Sequence, residues 1–135
     1  MIAGLIYTFT LYSQGFWPLD EEVSLTNLTI CSGISEDNNQ LLSQDLVTRS
    51  EGEQYVCGFI NSRSKSRIFF LWYKNDFEHY SLSSYLDTGY FVYPIYIKSA
   101  DPIGTYYVEV FQGRKKLGTL YYEIDRTTVR KVKTE

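Results

Sequence analysis

The feature that most constrains this chain is a period of two. From Val23 onward, no window repeats apolar residues at helical spacing for three turns, so a helical or alternating α/β domain is excluded. Short β-forming segments stand there instead, at Val23–Ile30, Gln54–Asn61, Arg67–Lys74, Asp76–Leu82, Tyr90–Lys98, Thr105–Gln112 and Lys116–Ile124. Each is bounded by turn formers. Val108 and Val110 alternate with Glu109 before Gln112-Gly113-Arg114-Lys115, which predicts a hairpin with a glycine at positive φ. Asn61–Ser66 reads as a loop joining antiparallel neighbours. Pro94 cannot donate to a ladder, so its strand belongs at a sheet edge or contains a bulge. Ser32–Gly52 is polar and irregular, with one helical turn expected around Leu41, Leu42, Leu46 and Val47. Strands without intervening helices predict an antiparallel sandwich or barrel.

One domain accommodates 135 residues, and 44% hydrophobic with 17% aromatic content is incompatible with a disordered chain. We divide it into an apolar N-terminal strand or anchor segment (1–22), a β-sandwich domain (23–125) and a basic C-terminal tail (126–135). The tail, Arg126 to Lys133, reads as solvated, with docking on an acidic surface as the other reading. Residues 1–48 hold six carboxylates and no Lys or Arg, and the 13 cations are scattered through the rest. An acidic chain without a basic patch gives nucleic acid no footprint.

Residues 1–17 carry no charge. Three readings compete: a strand with Tyr7, Phe9 and Leu11 on one face, a short membrane anchor, and a processed remnant. As a helix, 17 residues reach only about 25 Å against a hydrocarbon core of about 30 Å. The cysteines Cys31 and Cys57 lie 26 positions apart in β-reading segments, so they form either a bridge between neighbouring strands or two buried thiols.

Cys57 in one strand, Trp72 in the next and Gly104-Thr-Tyr106-Tyr-Val108-Glu-Val110 near the end resemble the plan of immunoglobulin-like domains. That resemblance implies an immunoglobulin-like antiparallel β-sandwich of about seven or eight strands, with Trp72, Tyr106 and Val108 in its core. Val108 stands where the second inter-sheet cysteine would be, and Pro102 where a corner aspartate would be. More narrowly, Tyr55-Val-Cys-Gly-Phe59, Phe70-Leu-Trp72-Tyr73 and Gly113-x-x-x-Leu117-Gly118 are similar to an uncharacterised bacterial domain family, over about residues 23–124. Its members generally form the extracytoplasmic part of membrane-associated proteins. The similarity implies an extracytoplasmic location and transfers no functional residue.

Chemistry is hard to find in this sequence. The only histidine, His79, has no nucleophile elbow to serve, so a surface or cross-strand position is expected. The neighbouring carboxylates Glu21 and Glu22, Glu36 and Asp37, and Glu51 and Glu53 fall in loops and read as solvated turns. No zinc spacing, calcium loop, phosphate-cradling loop or dinucleotide fingerprint occurs, so no catalytic residue, metal or cofactor is expected. Binding functions remain. We expect a protein–protein interaction or assembly subunit of a surface filament, layer or membrane complex, with Tyr7, Phe9 and Leu11 as an interaction strand. The alternative is a glycan- or peptide-binding module using Tyr90, Tyr93, Tyr96 and Tyr122 as an aromatic platform.

Overall fold

The computed structural model describes residues 23–51, 53–95 and 102–135. It is all-β and antiparallel. Among the described residues there are eleven strands: β1 (Val23–Cys31), β2 (Gly33–Ile34), β3 (Leu41–Leu42), β4 (Leu46–Thr48), β5 (Tyr55–Ser62), β6 (Ser66–Lys74), β7 (Phe77–Leu86), β8 (Gly89–Pro94), β9 (Gly104–Gln112), β10 (Lys115–Ile124) and β11 (Thr128–Thr134). They form a three-stranded sheet, β1-β5-β8, a six-stranded sheet, β4-β11-β10-β9-β6-β7, and a two-stranded ribbon, β2-β3.

The two larger sheets share one core, to which alternate residues of each strand contribute. From the large sheet come Ile68, Phe70 and Trp72 of β6, Tyr106, Val108 and Val110 of β9, and Leu120, Tyr122 and Ile124 of β10. The small sheet answers with Val56 and Ile60 of β5 and Phe91 of β8. In β1 the alternation changes phase. Val23 and Leu25 face inward, then Asn27 takes a φ of 55° at a bulge, and Leu28 and Ile30 face inward after it. One extra residue resets the register, and Asn is among the few side chains that accept this backbone region.

Local turn chemistry explains the hairpins. Asn75 and Asp76 have φ of 50° and 71°, so the β6–β7 connection has both central residues at positive φ, as a type I′ turn requires. Asp76 therefore belongs to the turn, and β7 runs on to Leu86. At the β9–β10 turn, Gly113 supplies the positive φ at the first central position. Thr119 and Glu135 exchange backbone hydrogen bonds of 2.8 Å, which seats the end of the chain beside β10.

Four expectations need correction. Residues 126–135 are not a solvated tail, because β11 pairs with β10 and carries buried Val129. Leu41, Leu42, Leu46 and Val47 form no helical turn; they lie in β3 and β4, and a short 3-10 segment follows at Arg49–Glu51. Asn61–Ser66 does not join paired neighbours. It carries the chain from β5 in the small sheet to β6 in the large one, because the apolar pattern fixes which face of each strand is inward but not which sheet it enters. The strand count exceeds seven or eight because β2, β3 and β4, with two or three residues each, are too short to leave a period in the sequence. Pro94 ends β8, an edge strand. Ile95 N–H donates to Gln54 at 3.1 Å, so by alternation residue 94 faces away from β5 and its missing N–H leaves no gap in the ladder.

Candidate functional site

Each sheet has an outer face, and the two differ. On the small sheet, Cys31 and Cys57 form a disulfide between neighbouring strands, with Cα atoms 6.1 Å apart. The bridge sits with Leu41, Ile34, Tyr55, Tyr90 and Val92 in a second apolar cluster. The β2–β3 ribbon contributes Ile34 and Leu41, so this outer face is covered. Cys57 accordingly points away from the shared core. Val56 is the β5 residue on the side of Trp72, one position away from where the immunoglobulin resemblance places the inward cysteine.

Among the described residues, no ribbon covers the outer face of the large sheet. Its strands are apolar on both sides: Ile68, Phe70 and Trp72 go inward, while Phe69, Leu71 and Tyr73 go outward and are half-buried. Facing residues on β9 and β10 extend the pattern into cross-strand rows. Tyr73 stacks on Tyr107 with ring centroids 4.5 Å apart, and Tyr107 approaches Tyr121 at 5.4 Å. Lys133 then lies over the Tyr121 ring at 4.7 Å. A second row joins Phe69 to Phe111 across the sheet. The Arg67 guanidinium lies 4.9 Å from the Phe69 centroid, and Lys116 lies 6.0 Å from that of Phe111. Between the rows, Glu109 binds Lys116 at 2.9 Å.

Beside the Phe69–Phe111 row is a cleft of about 420 Å³ lined by Phe69, Leu71, Phe111, Gly113 and Arg114. A smaller hollow of about 320 Å³ adjoins it, with Ser81 and Ser83 on its far wall. An apolar floor with an arginine at the rim suits an apolar side chain carried on a polar or acidic segment. The tyrosine row offers hydroxyls. Burial raises the pKa of the Tyr73 and Tyr107 phenols, and Glu109 raises both further, so they remain neutral hydrogen-bond donors.

Comparison with known proteins gives no further guide. No family model, curated protein or solved structure matches the chain.

The structure does not assemble the platform of Tyr90, Tyr93, Tyr96 and Tyr122. Tyr122 is fully buried and stacked on Tyr106 at 5.2 Å. Tyr90 and Tyr93 lie on opposite faces of β8: Tyr90 meets Phe59 at 5.0 Å on the disulfide side, and Tyr93 meets Phe70 at 5.0 Å on the core side. An odd spacing along a strand puts two side chains on different faces. Tyr96, and the strand candidates Tyr7, Phe9 and Leu11, lie outside the described residues. Trp72, Tyr106 and Val108 are core residues, at 0–2% exposure. His79 is half-buried on β7, with its ring 6.1 Å from Tyr106. Among the described residues, no group of three His, Cys, Asp or Glu could hold a metal ion.

Sequence reasoning missed the outer face of the large sheet. The signal was present in Ile68-Phe-Phe-Leu-Trp-Tyr73, Tyr106-Tyr107 and Tyr121-Tyr122, where both parities of a strand are apolar. Such runs mark a sheet that has something to bury on each side. The disulfide fits an oxidising, extracytoplasmic compartment. Among the described residues, no helix is long and apolar enough to cross a membrane.

Proposed function

We propose that this protein is a non-catalytic, extracytoplasmic, immunoglobulin-like module that binds another protein through the outer face of its six-stranded sheet. One observation carries the reading. Phe69, Leu71 and Phe111 form an apolar patch that no described element covers, with Arg67, Arg114 and Lys116 around it, a composition that suits a reversible protein interface. Tyr73, Tyr107 and Tyr121 add hydroxyls along one side.

Three features support the immunoglobulin-like assignment. Strands β5, β6, β8 and β9 alternate between the two sheets, and this leaves β1-β5-β8 facing β7-β6-β9-β10. Trp72 sits fully buried in the core. The Tyr106 hydroxyl donates 2.7 Å to the carbonyl of Pro102, four residues upstream, as in a tyrosine corner. Strands β11 and β4 are additions at one edge. The bridge between Cys31 and Cys57 supports the extracytoplasmic placement.

A glycan platform has less support. Sugars stack on open ring faces, and here Tyr73, Tyr107 and Tyr121 turn their faces to one another, with Lys133 closing the row. A photo-crosslinking side chain placed at Leu71 or Phe111 in the source cell tests the interface. Both positions should give the same protein adduct, whereas exposed Leu46 on β4 should give none. Equal labelling from all three positions, or none from any, refutes the reading.

A further inference from the structure

The cleft beside Phe69 and Phe111 has a requirement that the chain itself meets. Its floor is apolar, and Arg114 stands at its rim with Lys115 and Lys116 following on the same turn. Arg114 and Lys115 are exposed, and among the described residues neither has an ion-pair partner. The complementary segment is Phe16-Trp17-Pro18-Leu19-Asp20-Glu21-Glu22, two aromatic residues followed by three consecutive carboxylates. No other stretch of the sequence joins aromatic residues to an acidic run of that length.

Position and reach also agree. Val23 opens β1, and Leu25 lies against β10 near its start: a Cβ on Gly118 would meet Leu25 Cδ2 at 3.4 Å. The chain therefore enters the fold next to the β9–β10 turn that bears Arg114 and Lys115. Six extended residues from Val23 back to Trp17 span about 20 Å, and the two sheets are separated by about 10 Å. That length suffices to pass around the turn onto the outer face. A cleft of about 420 Å³ has room for an indole.

We propose that Phe16–Glu22 packs in cis on the outer face of the large sheet, with Trp17 in the Phe69–Leu71–Phe111 cleft and Asp20, Glu21 and Glu22 against Arg114 and Lys115. The proposal rests on reading this face as a docking surface and adds that the chain supplies its own occupant. An external partner then has to displace the segment, which lowers that partner's apparent affinity by the fraction of molecules already closed.

The test uses the full chain and its two tryptophans. Trp72 is fully buried, so Trp17 alone reports the cleft. In the parent, acrylamide should leave the emission of both indoles shielded. In Phe111→Asp, and in the triple variant Asp20→Lys, Glu21→Lys, Glu22→Lys, about half of the emission should become quenchable. Adding Arg114→Glu and Lys115→Glu to the triple variant should restore shielding. Amide signals of Leu71 and Phe111 should shift in the triple variant, while those of Val56 and Val129 stay in place. A parent whose Trp17 is already quenchable, or silent Leu71 and Phe111 amides, overturns the proposal. Shielding that disappears on tenfold dilution, with a dimer mass by light scattering, also overturns it, because the occupant is then a second copy. None of these results depends on crosslinking to a partner, so the interface reading and the cis contact fail separately.

Discussion

Replacing both cysteines, Cys31→Ala with Cys57→Ala, should lower stability by about 3.5 kcal/mol. The bridge closes a loop spanning 26 positions. A cross-link of that length removes about 12 cal/mol/K from the entropy of the unfolded chain, which is about 3.5 kcal/mol at 25 °C. At about 2.1 cal/mol/K of unfolding entropy per residue, a domain of this size has about 0.28 kcal/mol/K in all, so the melting temperature should fall by about 12 °C. Both sulfurs are fully buried beside Leu41, and alanine also thins that small cluster, so the loss has a local part. Amides that hold the ribbon, Ser32 N–H to Leu42 and Ser35 N–H to Gln40, should exchange ahead of those in β6. Thermal unfolding followed by near-ultraviolet circular dichroism gives the first number, and hydrogen exchange gives the second. A melting temperature lowered by less than about 4 °C, with ribbon amides as protected as before, would show that the loop is already constrained when unfolded and would refute the argument.

Other perturbations probe the core. Tyr106→Phe loses the 2.7 Å hydrogen bond to Pro102 and should cost about 1 kcal/mol by denaturant titration; no loss would mean that the corner contributes nothing. Gly58→Ala puts a Cβ 2.7 Å from Cζ of the Phe91 ring and should cost about 1–3 kcal/mol, with Phe91→Leu in the same chain recovering part of it. If the double variant is no more stable than Gly58→Ala alone, the clash lies elsewhere. Burial pushes the Tyr122 phenol far above its ordinary 10.0. A raised folded-state pKa gives stability that is present below the unfolded value and lost above it, so unfolding should become easier as pH rises past about 10, by up to about 1.4 kcal/mol per pH unit for this group. Tyr122→Phe should flatten that slope, and a Tyr122 phenolate in a chain with native near-ultraviolet dichroism would contradict it.

Much of the fold was legible because strand alternation is a local property. Tyr106, Val108 and Val110 share a face by spacing alone, and Gly113 marks its turn by backbone freedom. What local patterns cannot encode is which sheet a strand joins, and so the Asn61–Ser66 crossing has the sequence of a simple connection. Thr128–Thr134 was hidden for a different reason. It is a polar segment whose strand is defined by its partners on either side, β10 and β4, with only Val129 reaching the core. The disulfide was half-legible: two cysteines in neighbouring β-reading segments allowed a bridge, and only the β1–β5 pairing brings their Cα atoms to 6.1 Å. The candidate face escaped notice because Phe69, Leu71 and Phe111 look like core residues in a sequence, and nothing local distinguishes an inner apolar face from an outer one.

The contrast between the two outer faces favours an interface over a misplaced core. Both sheets carry aromatic and aliphatic residues outward, and on the small sheet Tyr90 and Val92 lie under Ile34 and Leu41, fastened by the bridge. The large sheet has no such cover among the described residues, yet its half-buried outward rings are not left to associate indiscriminately. Cations stand over them, Arg67 at Phe69, Lys116 at Phe111 and Lys133 at Tyr121, and a cation over a ring face blocks ring-to-ring contact while leaving the ring edges accessible. If this face is the interface proposed above, it should favour acidic segments with an apolar anchor that can pair with those cations, and the affinity should fall as salt screens the charges.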